Sequence, residues 1–148
     1  MIEKINDDLK IAMKEKDTFK MSVIRMLKSA LQLESIAKKH ELSDNEVINI
    51  LKKQVKLRKD SIEEYKKYNK METVDSLEKE IAILEVYLPE EMNEEEIKTI
   101  IEKIFDEIKP TSIKDMGKVM ASLNKELEGK NADIGLASKI VKEKLNSI

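Results

Sequence analysis

Only two arginines, Arg25 and Arg58, stand among 26 lysines in this chain of 148 residues. Against that background an Arg points to a place that needs the planar five-donor guanidinium fork, which Lys cannot copy. Arg58 is oddly placed. Ile48, Leu51, Val55, Arg58, Ile62 and Tyr65 follow steps of three and four, so a charge interrupts an apolar seam. Gln54 and Ser61 lie on the same side of that helix. One reading is structural: a half-buried Arg paired with a carboxylate such as Glu34 or Glu85, its stem packed on apolar neighbours. The other is a guanidinium presented in a groove, to a phosphate or a partner's carboxylate. Arg25 belongs to a different stripe, with Thr18, Ser22, Ser29 and Gln32. Small side chains admit a partner's backbone, and hydroxyls bond phosphate or carbonyl. The alternative is an ordinary solvated face. Lys52, Lys53, Lys56, Arg58 and Lys59 make a dense basic run, part surface and part seam.

Further along, Lys114, Lys118 and Lys125 share one helical face by steps of four and seven. Gly117 lies among them, in Asp115-Met-Gly-Lys-Val-Met120. A Gly inside a helix costs about 1 kcal/mol relative to Ala. A close neighbour is therefore expected: a crossing helix, the commoner cause, or a ligand's backbone. Gly129-Lys130-Asn131-Ala132-Asp133 reads as a tight helix–helix loop carrying another Lys. The N–H groups of the helix that Asp133 caps offer a phosphate cradle, for which the Asp itself competes.

A catalytic centre is harder to find. The chain has no Cys, which excludes disulfides, thiolate zinc sites, iron–sulfur clusters and a cysteine nucleophile. Its one His, His40, excludes a two-His metal site and follows Lys38-Lys39 at a helix end. There is no glycine-rich phosphate loop and no serine nucleophile elbow. Carboxylate pairs abound, but 39% of the residues are charged, so such pairs are expected on solvated faces. No catalytic residue, cofactor or metal is expected. The opening Met1-Ile-Glu-Lys-Ile5 lacks the apolar run of a signal peptide, and the charge density excludes a membrane span; a cytoplasmic protein is expected. The net charge is −2 and the pI about 5.7, which argue against tight non-specific DNA binding. The average hides an uneven distribution. Glu90, Glu91, Glu94, Glu95 and Glu96 cluster in one connector, whereas residues 97–148 carry ten Lys against eight acids.

The elements that must position these residues are helices. Three Gly and two Pro cannot punctuate a β sandwich or barrel. An opening helix over 2–15 aligns Ile2, Ile5, Leu9 and Met13. Asp17 caps a second helix to about Lys39, with Val23, Met26, Leu27, Ala30 and Leu33 as its apolar face. Ser43 and Glu46 form a capping box for a third, to about Tyr68. A fourth carries Val74, Leu77, Ile81, Leu84 and Leu88 and stops at Pro89. Asn93 and Glu96 open a fifth, with Ile97, Ile100, Ile101, Ile104, Phe105 and Ile108. Ser112 and Asp115 cap a sixth, closed by Gly129. Asp133 caps a seventh, with Ala137, Ile140, Val141, Leu145 and Ile148. The expected architecture is all-α: a four-helix N-terminal domain over 1–89, an acidic hinge, and a three-helix C-terminal domain over 93–148.

Several of these segments in this order resemble one family. Ser22-Val-Ile-Arg-Met-Leu-Lys-Ser-Ala-Leu31, Arg58-Lys-Asp-Ser-Ile-Glu-Glu-Tyr65, Leu84-Glu-Val-Tyr-Leu-Pro89, Asp115-Met-Gly-Lys-Val-Met120 and Gly129 to Asp133 are similar to the YqeY-like proteins. That family resembles the C-terminal tail domain of the B subunit of the tRNA-dependent Asn/Gln amidotransferase. The resemblance implies an all-α fold of four plus three helices and a role near tRNA. The positions matching the family motifs are Arg25, Lys28, Arg58, Ser61, Tyr65, Gly117, Lys118, Gly129 and Asp133. A carbon–nitrogen ligase activity with glutamine as amido donor belongs to other domains of the larger enzyme, and no site for it is visible here.

Two functions of different class follow, and an enzyme in its own right stands third, for want of a site. One is a non-catalytic tRNA-binding module. Lys114, Lys118, Lys125 and Lys130 would meet phosphates, and Arg25, Lys28 or Arg58 would give shaped contacts. About four phosphate contacts imply a log–log salt slope of roughly −3 to −4. With an aromatic content of 3%, recognition would read shape. The other is an adaptor docking on the amidotransferase or another translation protein, for which eight Met and apolar helix faces are suited.

Overall fold

The capping signals decide where the helices begin. In a computed structural model, which describes residues 1–148, seven α-helices follow one another with no strand between them. They are α1 (Ile2–Lys14), α2 (Thr18–Lys38), α3 (Asp44–Lys67), α4 (Met71–Glu85), α5 (Glu94–Ile108), α6 (Met116–Glu126) and α7 (Ile134–Asn146). Asp17 accepts a hydrogen bond from the Lys20 N–H, 3.1 Å, and opens α2. Ser43 and Glu46 exchange both bonds of the capping box at the head of α3. Asn93 accepts from the Glu96 N–H at the head of α5. Each cap satisfies a donor that the first helical turn leaves unpaired.

The chain is all-α and forms two compact units, Met1–Leu88 and Pro89–Ile148. In the first, α3 packs most extensively on α4, and α2 touches α1, α3 and α4. Its core gathers Ile5, Ile24, Leu27, Leu51, Val55, Val74, Ile81 and Leu84. In the second, α5, α6 and α7 pack pairwise around Ile97, Ile101, Ile104, Val119, Leu123, Val141 and Leu145.

Several expected faces are rotated. On α1, Ile5 and Ala12 are buried, while Ile2 and Met13 face solvent. On α2 the buried line is Val23, Ile24, Leu27 and Leu31; Met26 and Leu33 point outward. Both α2 lines satisfy helical spacing, so periodicity alone does not choose between them. Helix α4 ends at Glu85, short of Pro89. Residues 86–88 leave it through turns, with Tyr87 N–H on the Leu84 carbonyl, which swings the Tyr87 ring into the core. There Tyr87 donates its hydroxyl to Asp8, and burial together with that bond raises its pKa. Ile148, expected on the α7 face, lies past the helix end and is exposed. Residues 89–92, expected as a hinge, are tied into the second unit. Met92 N–H donates to the Asn131 carbonyl at 2.8 Å, and Asn131 Nδ2 donates to the Pro89 carbonyl at 3.1 Å.

Candidate nucleic-acid interface

The basic face of α6 is built from a turn that begins at Ser112. Its hydroxyl accepts from the Lys114 N–H, 3.3 Å, and starts a 3-10 turn over Ile113–Asp115. Asp115 occupies the N-cap position of α6 but does not cap it. Its carboxylate turns back to accept from the Thr111 N–H at 2.8 Å and the Thr111 hydroxyl at 3.2 Å. The Thr111 backbone bond chiefly holds the Asp115 carboxyl below its ordinary pKa; Lys118 adds a smaller pull. Helix α6 then buries Val119 and Leu123 and half-buries Met116 and Met120. With 100° per residue, that burial turns Lys118, Ala121 and Lys125 outward. Lys118 and Lys125 stand two turns apart, about 10 Å along the axis. Lys114, Lys118 and Lys125 are all exposed.

Gly117 is exposed beside them, in the first turn of α6, of which it is the second residue. No crossing helix explains it, because a Cβ built there would meet nothing within 4 Å. The fold therefore supplies no packing reason for a Gly at this point.

Gly129 follows α6 with φ 75°, a left-handed conformation that favours Gly at a helix end. The Lys130 N–H bonds the Leu127 carbonyl at 3.0 Å, and the Lys130 side chain is exposed. Asp133 caps α7, accepting from the Leu136 N–H at 3.1 Å. The expected phosphate cradle is thus occupied by the chain's own carboxylate. Gly135, which the sequence reading passed over, leaves room for it: a Cβ there would lie 3.3 Å from Asp133 Oδ1.

The first unit holds the remaining candidates. Arg58 is 7% exposed. Its Nε donates to Glu80 Oε1 at 3.4 Å. Its Nη1 donates to the Gln54 carbonyl at 3.0 Å and to Gln54 Oε1 at 2.9 Å. The partner is therefore Glu80 on α4, not Glu34 or Glu85; Glu34 reaches Lys38 at 3.6 Å. The guanidinium joins α3 to α4 and is no open phosphate contact. Ser61 donates its hydroxyl to the Leu57 carbonyl, 3.0 Å, one turn back. Tyr65 sits at the end of the apolar seam, and its ring is partly exposed. Arg25 and Lys28 are exposed on α2, where Thr18, Ser22, Arg25 and Ser29 line one open trough of about 590 Å³. No three His, Cys, Asp or Glu side chains are grouped so as to hold a metal ion, and no helix is long and apolar enough to cross a membrane.

Residues 2–145 match the family model described as Yqey-like protein. The chain belongs to the YqeY-like family. Curated relatives include two yeast proteins named altered inheritance of mitochondria protein 41, mitochondrial. The chain is 32% identical over 108 residues to that of Vanderwaltozyma polyspora, covering 71% of this chain and 58% of the relative. It is 32% identical over 114 residues to that of Lachancea thermotolerans, covering 75% and 61%. This family member thus spans about three fifths of the length of those relatives.

Proposed function

We propose that this YqeY-like chain is a non-catalytic RNA-binding module, directed to tRNA and working beside the tRNA-dependent amidotransferase or another translation protein. The observation that carries the reading is the outward face of α6. Lys118 and Lys125 stand exposed on it and Lys114 in the 3-10 turn just before it, next to a Gly117 whose space is open. Cations in a row meet phosphates, and the missing side chain lets a sugar–phosphate backbone come close. The resemblance to the amidotransferase tail domain supplies the tRNA direction. No set of side chains here forms a nucleophile with its base, or a nucleotide cradle, so the reading assigns binding and no chemistry.

Filter binding of the purified chain to total tRNA and to an equal mass of duplex DNA, at two salt concentrations, tests it. Saturable binding that prefers tRNA is expected, with a log–log salt slope of roughly −2 to −3 for three lysine–phosphate contacts. Lys118→Glu with Lys125→Glu should weaken binding at least tenfold and flatten the slope. Equal affinity for DNA, or binding indifferent to the double reversal, would overturn the assignment.

A further inference from the structure

Helix α2 carries two apolar lines, and the fold buries only one. Val23, Ile24, Leu27 and Leu31 face the core. Met26, Leu33 and Ile36 are 52%, 69% and 66% exposed. Three large aliphatic chains kept in water on one helix face forgo the free energy of burial. A grouping of that kind marks an interaction surface. Short side chains, Ser22, Ser29 and Ala30, lie among them and floor the trough of about 590 Å³. Arg25 is the only charged residue lining that trough. Lys28 stands one turn on and, with Arg25, lines a second depression whose other side carries Glu3 and Glu41. The one acid of α2, Glu34, lies towards the inward side and is engaged by Lys38.

We propose that the outward face of α2 docks an amphipathic helix of a partner protein, apolar along one side and acidic along one flank. The spacing of Met26, Leu33 and Ile36 is that of helix-in-groove anchors. The small residues between them let a second backbone approach to about 8–10 Å. Arg25 and Lys28 select acids on the incoming flank. A second copy of this chain fits less well. Antiparallel pairing about a twofold axis would set the Arg25–Lys28 flank against its own counterpart. Parallel pairing along α2 would bring these cations no acid from the facing helix, since the outward face of α2 has none. RNA would meet two cations here but would also have to cover three aliphatic side chains.

The full-length chain is panned against a displayed library of helical peptides. Each has Leu at positions i, i+4 and i+7, and its flanking positions are randomised among Asp, Glu, Lys, Gln and Ser. Enriched peptides should carry Asp or Glu along one flank, and the best one should bind saturably in fluorescence anisotropy. Leu33→Asp should weaken it at least tenfold, as should Arg25→Glu with Lys28→Glu. The charge-reversed protein should instead bind the same peptide with its acids changed to Lys. Met26→Gln with Ile36→Gln provides a second, milder variant, and circular dichroism checks that each variant keeps its fold. No enrichment, enrichment of basic flanks, or binding that survives both apolar variants overturns the proposal. A dimer in sedimentation that Leu33→Asp dissolves, or displacement of the peptide by total tRNA, also overturns it.

Discussion

Replacing Arg58 separates a guanidinium that joins two helices from one that waits for a ligand. The side chain is 7% exposed and bonds Glu80 and Gln54. Arg58→Ala removes two buried methylenes, Cγ and Cδ, worth about 0.8 kcal/mol each, or roughly 1.6 kcal/mol. It also leaves the Glu80 carboxylate without its cation. Breaking a fully buried pair from one side costs about 3–5 kcal/mol. Glu80 keeps 17% of its side chain in solvent, so roughly 1–2 kcal/mol is the fitting share. Together these give about 2.5–3.5 kcal/mol. At roughly 4–8 °C per kcal/mol for a unit of this size, the first unit should melt about 10–28 °C lower. Arg58→Met keeps the apolar stem and should lose only the electrostatic part, about 1–2 kcal/mol. Adding Glu80→Leu to it should return most of that loss, since a hydrophobic pair often matches a buried ion pair. Thermal and urea unfolding followed by circular dichroism would read the totals. Hydrogen exchange at α3 and α4 would place the loss in the first unit. Below its melting point, Arg58→Met should bind tRNA within twofold of wild type. An Arg58→Met protein of unchanged stability with tenfold weaker tRNA binding would refute the reasoning.

Other outcomes follow from the same geometry. Gly129→Ala puts a Cβ into a left-handed turn and should cost about 1–2 kcal/mol in urea unfolding. Gly117→Ala meets open space and should raise stability by up to about 1 kcal/mol, while reducing tRNA affinity if the backbone passes there. Leu51→Ala, at a fully buried position, should cost about 2–5 kcal/mol by leaving a cavity in the first unit. Glu46 is held down to about 2, first by its hydrogen bond to Lys38 and then by the Ser43 backbone. A depressed carboxyl stabilises the fold above its unfolded value of 4.5 and ceases to do so as pH falls through about 2. The difference in urea midpoint between wild type and Glu46→Gln should therefore be largest near neutral pH, shrink between pH 4.5 and 2, and vanish below.

How much of this was legible in the sequence depends on whether the signal was local. The caps at Asp17, Ser43, Asn93 and Asp133 were legible because each is a bond between residues three apart, written into one short segment. Asp115 carries the same signal and misleads, because its carboxylate has a better offer from Thr111 four residues behind. Arg58 was legible as an interruption of a seam, but its partner was not. Helix periodicity says which side of α3 faces inward and says nothing of how α4 is set against it, so Glu80 could not be told from Glu85. Gly117 was misjudged for a related reason. Its place in the chain looked like a helix interior, and only the packed structure shows that nothing stands over it. The α2 face was the most informative error. A helix with apolar residues on both sides satisfies any choice of inward face, and a single chain has only one core to bury. Whichever line the core does not take must find a use or a cost. On α2 the unused line runs beside two cations and over a floor of small residues. The proposed docking of a partner helix would give that line a use, and it falls where periodicity alone picks the wrong inward face.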